Sequence, residues 1–186
     1  MRCFIAIPLP TDITQTLSKI QSHLKETEAD VGWVKSDNIH LTLKFLGNVE
    51  EEKIKTICHK LREVTNDFSS FETEMGKLGT FPSLSNPRVI WTGISKNADK
   101  ISKLQQRIEE TLMALGFERE TRPFHAHLTL GRVKSKKNIN KLIEKLESLT
   151  LPQFAPLAVD RIILFQSILK PTGAEYTALD GFQLQS

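Results

Sequence analysis

Two identical tetrapeptides, His40-Leu41-Thr42-Leu43 and His127-Leu128-Thr129-Leu130, stand about half a chain apart. In an extended strand successive side chains point to opposite faces, so His40 and Thr42 share one face while Leu41, Leu43 and Phe45 take the other. His127 and Thr129 repeat the arrangement against Ala126, Leu128 and Leu130. Each strand would set an imidazole beside a hydroxyl, above an aliphatic layer. An imidazole titrates near neutrality and can give or take a proton. A threonine hydroxyl can donate a hydrogen bond to a phosphoryl oxygen where charge builds up. Two such strands facing one cleft suit the opening of a cyclic phosphodiester, one histidine deprotonating water and the other protonating the departing oxygen. This scheme requires no metal and no cofactor, and no carboxylate cluster flanks either histidine in the sequence. A lone histidine on a half-buried strand is more often structural, but two His-x-Thr copies on matched strands are hard to explain by packing alone.

Other residues near the motifs admit two readings each. His125 would share the face of His127 if the strand begins that early, and would then touch substrate phosphate or ribose; otherwise it is a solvated residue at the strand entry. The His-x-Thr spacing selects His127 over His125. Lys44 continues the face of His40 and Thr42, so it either adds positive charge near a phosphate or stands exposed at the strand end. Simple alternation puts Arg132 opposite His127, and only a twist or bulge would bring it to the phosphate. Arg119, Arg122 and Lys134-Ser135-Lys136-Lys137 form either a basic rim for an RNA backbone or a solvated charge cluster. Phe45, Phe81, Trp33 and Trp91 are candidates for base stacking or for the core. His23 and His59, on helical patterns, read as surface residues, and Cys58 as core.

The elements that must position these residues alternate along the chain. Arg2–Ile7 reads as a strand, followed by Thr11-Asp12 as N-cap candidates and Ile13, Leu17, Ile20 and Leu24 at helical spacing. Ile39–Phe45 reads as a strand, Glu50–Val64 as a helix and Phe71–Leu78 as a weaker strand. Residues 79–87, rich in glycine, proline, serine and asparagine, read as a loop. Val89–Ile94 is a strand, Asn97–Leu115 a helix stopped by Gly116, Ala126–Arg132 a strand, Asn138–Leu149 a helix and Val159–Leu169 a long strand. A further strand is expected around Tyr176–Leu179. Each half reads strand, helix, strand, helix, strand, with its His-Leu-Thr-Leu in the central strand. The expectation from the elements is one domain over residues 1–186, of α+β or α/β class, with two similar lobes facing one another across a cleft.

Composition is that of an ordinary globular chain, with 39% hydrophobic and 25% charged residues. No apolar run has the length of a membrane helix, and Pro8 and Pro10 cut short the apolar start that would otherwise resemble a leader. Cys3 and Cys58 have neither disulfide-framework nor metal-ligand spacing, which implies a reduced, cytoplasmic setting. The net charge of +3 permits an anionic ligand without announcing a nucleic-acid-coating surface.

Ile39-His40-Leu41-Thr42-Leu43-Lys44-Phe45-Leu46-Gly47 and His127-Leu128-Thr129-Leu130-Gly131-Arg132 resemble the two signature motifs of the two-histidine phosphoesterases. Within that superfamily the chain is most similar to the LigT-like branch of RNA 2′,3′-cyclic phosphodiesterases, also named 2′-5′ RNA ligases. Arg2–Ile7, Pro87–Trp91, Leu164–Ser167 and Gly173–Tyr176 share the resemblance. It implies an α+β fold, bilobal and pseudo-duplicated, with two antiparallel-rich sheets and outer helices around a central cleft, and metal-free hydrolysis of a terminal 2′,3′-cyclic phosphate to a 2′-phosphate. His40 would be the proton donor and His127 the acceptor, with Thr42 and Thr129 holding the phosphate. Arg132 matches the family pattern, and Lys44, His125 and Arg132 stand as further candidate substrate contacts on the readings given above. The implied partners are RNA 3′ ends or small cyclic nucleotides; a monomer is the default expectation, which the sequence leaves open. The alternatives are 2′-5′ ligation, which the same histidines would serve, and binding of RNA or nucleotide without turnover. Ala126 stands where the branch often has proline, a change that removes no chemical group.

Overall fold

The computed structural model describes residues 1–171 and 173–186, among which nine strands and four helices are found. In chain order they are β1 (Arg2–Ile7), α1 (Thr11–Lys25), β2 (Val31–Trp33), β3 (Leu41–Asn48), α2 (Glu51–Asn66), β4 (Phe71–Ser83) and β5 (Asn86–Lys96). There follow α3 (Ala98–Met113), β6 (His127–Val133), α4 (Ile139–Ser148), β7 (Leu157–Val159), β8 (Arg161–Lys170) and β9 (Gly173–Gln183). The strands run β7-β4-β5-β6-β3-β1-β8-β9, with β2 also paired to β6, and these pairings are antiparallel. The class is α+β, the one of the two open readings that the family resemblance implies.

The helices form because their apolar residues recur every three or four positions and find one shared core. Ile101, Leu104, Ile108 and Leu112 of α3 are fully buried, as are Leu17, Ile20 and Leu24 of α1. They meet Leu41 and Leu43 of β3, Ile90 of β5, and Leu128 and Leu130 of β6 in a single cluster. Each such side chain contributes roughly 1.5–3 kcal/mol by leaving water. Gly116, with φ +87, ends the turn after α3 in the left-handed conformation a C-terminal glycine supplies.

The strand order is symmetrical about the step from β6 to β3. β5 flanks β6 as β1 flanks β3, and β4 lies beyond β5 as β8 lies beyond β1. Thus β4, which follows β3 in the chain, lies beside β5, and β8, which follows β6, lies beside β1. Each half lends its fourth strand to the flank of the other. The same correspondence extends to two bulges. Against β1, Ile5 pairs with Lys44 and Ala6 with Thr42, leaving Leu43 unmatched. Against β5, Ile90 pairs with Gly131 and Trp91 with Thr129, leaving Leu130 unmatched. Both bulges fall three residues after the motif histidine, and each shifts the alternation of the two residues that follow it; in β3 a second irregularity leaves Leu46 unmatched. The Leu130 carbonyl accepts hydrogen bonds from Val34 N (2.9 Å) and from Gln21 Nε2 (2.8 Å).

Three expectations are corrected here. Residues 79–87 are not a loop. β4 continues to Ser83, and β5 starts at Asn86 after a turn at Leu84 and Ser85. The composition misled because its breakers have places in the hairpin: Gly79 lies under the Trp91 indole, where a Cβ would come within 2.3 Å of the ring, and Pro82 faces Pro87 beside the turn. Phe45 is not core but 66% exposed, because the Leu43 bulge turns it outward. Helix α1 begins at Thr11 with Pro10 in the cap position, so Thr11 and Asp12 lie inside its first turn. The expected tail strand is present and longer, and the short β2 has no counterpart in the sequence reading.

Candidate active site

The strands β3 and β6 join through the pair Leu41↔Leu128, the residue that follows each motif histidine. Both leucines are fully buried on the helix-covered side. One step along this antiparallel register, in either direction, sets His40 across from Thr129 and Thr42 across from His127. All four are half-buried on the opposite face of the sheet. Cross-strand neighbours in such a ladder hold their Cβ atoms about 4.5–5.5 Å apart, so the two imidazoles and two hydroxyls share one small patch.

The two histidines are held alike. His40 Nδ1 donates to the Asn38 carbonyl at 2.7 Å, and His127 Nδ1 donates to the His125 carbonyl at 2.6 Å. A carbonyl can only accept, so each neutral ring carries its proton on Nδ1 and keeps a lone pair on Nε2. Their surroundings differ. His40 stacks on Phe4 (4.7 Å between centroids) and meets the edge of Tyr176 at 5.3 Å, with Phe165 behind. Burial pushes its pKa down to about 4, against a smaller upward pull from the Asn38 carbonyl. His127 stands edge-on to Phe81 at 5.1 Å and 6.2 Å from Trp91. Its pKa is lowered chiefly by burial; the His125 carbonyl bond raises it, while His125 and Arg132 lower it further.

Arg132 reaches the cleft. The Leu130 bulge reverses its side from the one alternation assigns, and its charge acts on both His127 and Tyr176. The Tyr176 hydroxyl has its pKa raised by burial, against lowering by Arg132 and Arg2. His125 precedes β6, is exposed, and packs against Trp91 at 4.9 Å, at the rim beside His127. Lys44 is neither near the histidines' face nor exposed. The Leu43 bulge turns it inward, where Nζ donates to Glu109 Oε2 at 2.6 Å and to the Glu118 carbonyl at 2.8 Å. Of the other aromatics, Phe81 and Trp91 line the cleft, Phe45 is exposed beside Phe4, and Trp33 covers Gly131. Arg119, Arg122, Lys134, Lys136 and Lys137 are exposed. His23 and His59 face solvent beside Glu26 and Glu63.

Phe4, Phe165, Tyr176 and Asn38 belong to the site's immediate surroundings, and reading the sequence for site residues missed them. Phe4 and Phe165 are direct cross-strand partners, so an aromatic row extends from His40 over β1 and β8 to β9. Tyr176 is the chain's single tyrosine, a signal of sorts, but nothing local places it at a histidine over a hundred positions earlier. Among the described residues, no group of three or more His, Cys, Asp or Glu side chains is arranged to hold a metal ion.

The motif geometry and doubled architecture agree with comparisons to known proteins. The family described as LigT like Phosphoesterase matches residues 7–91 and 93–176, one span in each half. An RNA 2′,3′-cyclic phosphodiesterase of Methanothermobacter thermautotrophicus is 34% identical over 184 residues, 99% of each chain. One of Thermotoga maritima is 37% identical over 182 residues, 96% of this chain and 93% of that one. Among solved structures, Escherichia coli LigT complexed with 3′-AMP aligns with a TM-score of 0.79 at 26% identity, covering 100% of this chain and 98% of the other. A Thermus thermophilus protein, TT0787, aligns with a TM-score of 0.81 at 25% identity and the same coverage. The fold and site thus define a two-histidine phosphoesterase. The chain belongs to the LigT-like phosphoesterase family.

Proposed function

We propose that this protein hydrolyses the 2′,3′-cyclic phosphate at RNA 3′ ends to a 2′-phosphate, by acid–base catalysis without a metal. The observation that carries the reading is the facing arrangement of two His-x-Thr pairs, each histidine bonded through Nδ1 to main chain so that Nε2 is left for the substrate. His127 takes a proton from water as it attacks phosphorus. The bond from phosphorus to O3′ breaks, and His40 gives that oxygen its proton. Thr42 and Thr129 donate to the non-bridging oxygens, and Arg132 neutralises their charge. With its pKa pushed to about 4, His40 holds a proton near neutrality only against the bound phosphate anion. The resemblance to the family supplies this direction, since the two histidines have the same main-chain lock.

The relatives' names support RNA cyclic-phosphate ends as substrate, and small cyclic nucleotides fit the same chemistry. We place the protein in the cytoplasm as a monomer, one domain of two related lobes. Both cysteines are free and buried, and no described helix is long and apolar enough to cross a membrane. The test is product analysis on a short RNA ending in a 2′,3′-cyclic phosphate, with EDTA present. A 2′-phosphate is expected. No hydrolysis, or mostly joined product when a 5′-hydroxyl RNA is added, would overturn the proposal.

A further inference from the structure

The carbonyl that orients His40 is firmly held. Asn38 ends a tight turn closed by Asn38 N to Lys35 O (2.8 Å) and Ile39 N to Ser36 O (3.1 Å), and its side chain donates to the Ala174 carbonyl at 2.7 Å. The carbonyl that orients His127 is on His125, at the end of an irregular segment that follows α3. A recess of about 460 Å³ separates residues 119–124 from Gln105, Gln106 and Glu109 of α3. Among the described residues from Glu118 to Phe124, the main-chain carbonyl that accepts a hydrogen bond is that of Glu118, and its donor is Lys44. Lys44 is in turn fixed by Glu109, whose other carboxylate oxygen accepts from Gln105 Nε2 at 3.2 Å. The pair is almost wholly buried, with 4% and 5% of the two side chains exposed.

A buried ion pair is weak support for stability, because taking both charges out of water offsets their attraction. At the corresponding position of the second half, Gly131 carries no side chain at all, and a Cβ there would meet Val31 at 2.7 Å and Trp33 at 2.9 Å. One half needs no charge at this place, so packing alone does not call for it in the other.

We infer that Lys44 and Glu109 are positioning residues for His127: the first motif strand anchors, through the Glu118 carbonyl, the segment whose far end sets the tautomer and aim of the second motif's histidine. Neither residue touches substrate. The inference rests on the hydrolytic reading of the site, and it adds a physical link between the two motifs that acts through the main chain.

Two variants test it. Lys44→Met/Glu109→Leu removes both charges together, leaving no orphaned ion in the core. Inserting two glycines between Glu120 and Thr121 leaves the pair intact but uncouples Glu118 from His125; the site is an exposed segment of the kind that tolerates insertion. Both variants should lower kcat on a cyclic-phosphate substrate about tenfold or more, as expected when an acid–base group is misplaced, with KM changed by less than about threefold. In 1H–15N spectra the His127 ring signals, including its Nδ1–H, should shift while those of His40 stay in place. Wild-type kcat with unmoved His127 signals in either folded variant would overturn the inference. If the wild type proves inactive, the proposed function fails, and the His127 signals still decide this point.

Discussion

His40 and His127 make the same bond to the main chain but stand in different surroundings. Aromatic rings from β1, β8 and β9 close around His40, whereas His127 opens toward the exposed His125 and Arg132. The lowering by burial is therefore seen most plainly at His40, and at His127 His125 and Arg132 add to it. The contrast teaches that a duplicated motif fixes the orientation of its histidine, while that histidine's proton affinity is set by what the two halves do not share.

The largest test of that contrast is stability against pH. The folded protein keeps His40 neutral down to about pH 4, while an unfolded chain takes up the proton near 6.5. Between those values the unfolded state binds more protons, so stability is fully present above pH 6.5 and is lost as pH falls toward 4. The loss should approach about 3 kcal/mol in urea titrations, and His40→Gln should remove most of that pH dependence. An unchanged dependence in the variant would mean that His40 is not the group held neutral.

Next in size is the pair of positions two residues past each bulge, Phe45 and Arg132. Arg132→Met should lower kcat/KM about thirtyfold, roughly 2 kcal/mol of lost transition-state stabilisation, because it removes a charge beside the proposed phosphate site. Phe45→Ala should cost about fivefold or less, as it removes only a stacking surface. Equal losses at the two would erase the proposed difference between the halves.

At the position just before these, Gly131→Ala should destabilise the fold by about 1–3 kcal/mol through overpacking against Val31 and Trp33, measured by chemical denaturation. A neutral substitution would show that β2 yields easily. The smallest effect concerns rate. Both histidines are lowered from 6.5, and catalysis needs one protonated and one neutral, so kcat/KM should peak below pH 6.5. A maximum at or above about pH 7.5 would mean that substrate-free burial does not govern the pair.

The strands that carry the motifs were legible because alternation is local: His40 with Thr42, and His127 with Thr129, follow from the pleat. The amphipathic helices were legible for the same reason. The bulges were not, since Leu43 and Leu130 are ordinary leucines and a skipped partner is a property of two strands together. That one hidden feature misplaced Lys44 and Phe45 and left the side of Arg132 open. The hairpin of β4 and β5 was hidden differently, by breaker residues that tertiary contacts such as Trp91 over Gly79 accommodate. Long-range partners, Glu109 for Lys44 and Tyr176 for His40, leave no mark in the local sequence.

The central claim is that His40 and His127 act as one acid–base unit. Single-turnover rates on a cyclic-phosphate RNA, compared for wild type, His40→Ala, His127→Ala and the double variant, test it most directly. Each single variant should be slower by about a hundredfold or more, and the double no slower than the worse single by more than about threefold. Full activity in either single variant, or losses that multiply in the double, would contradict the account.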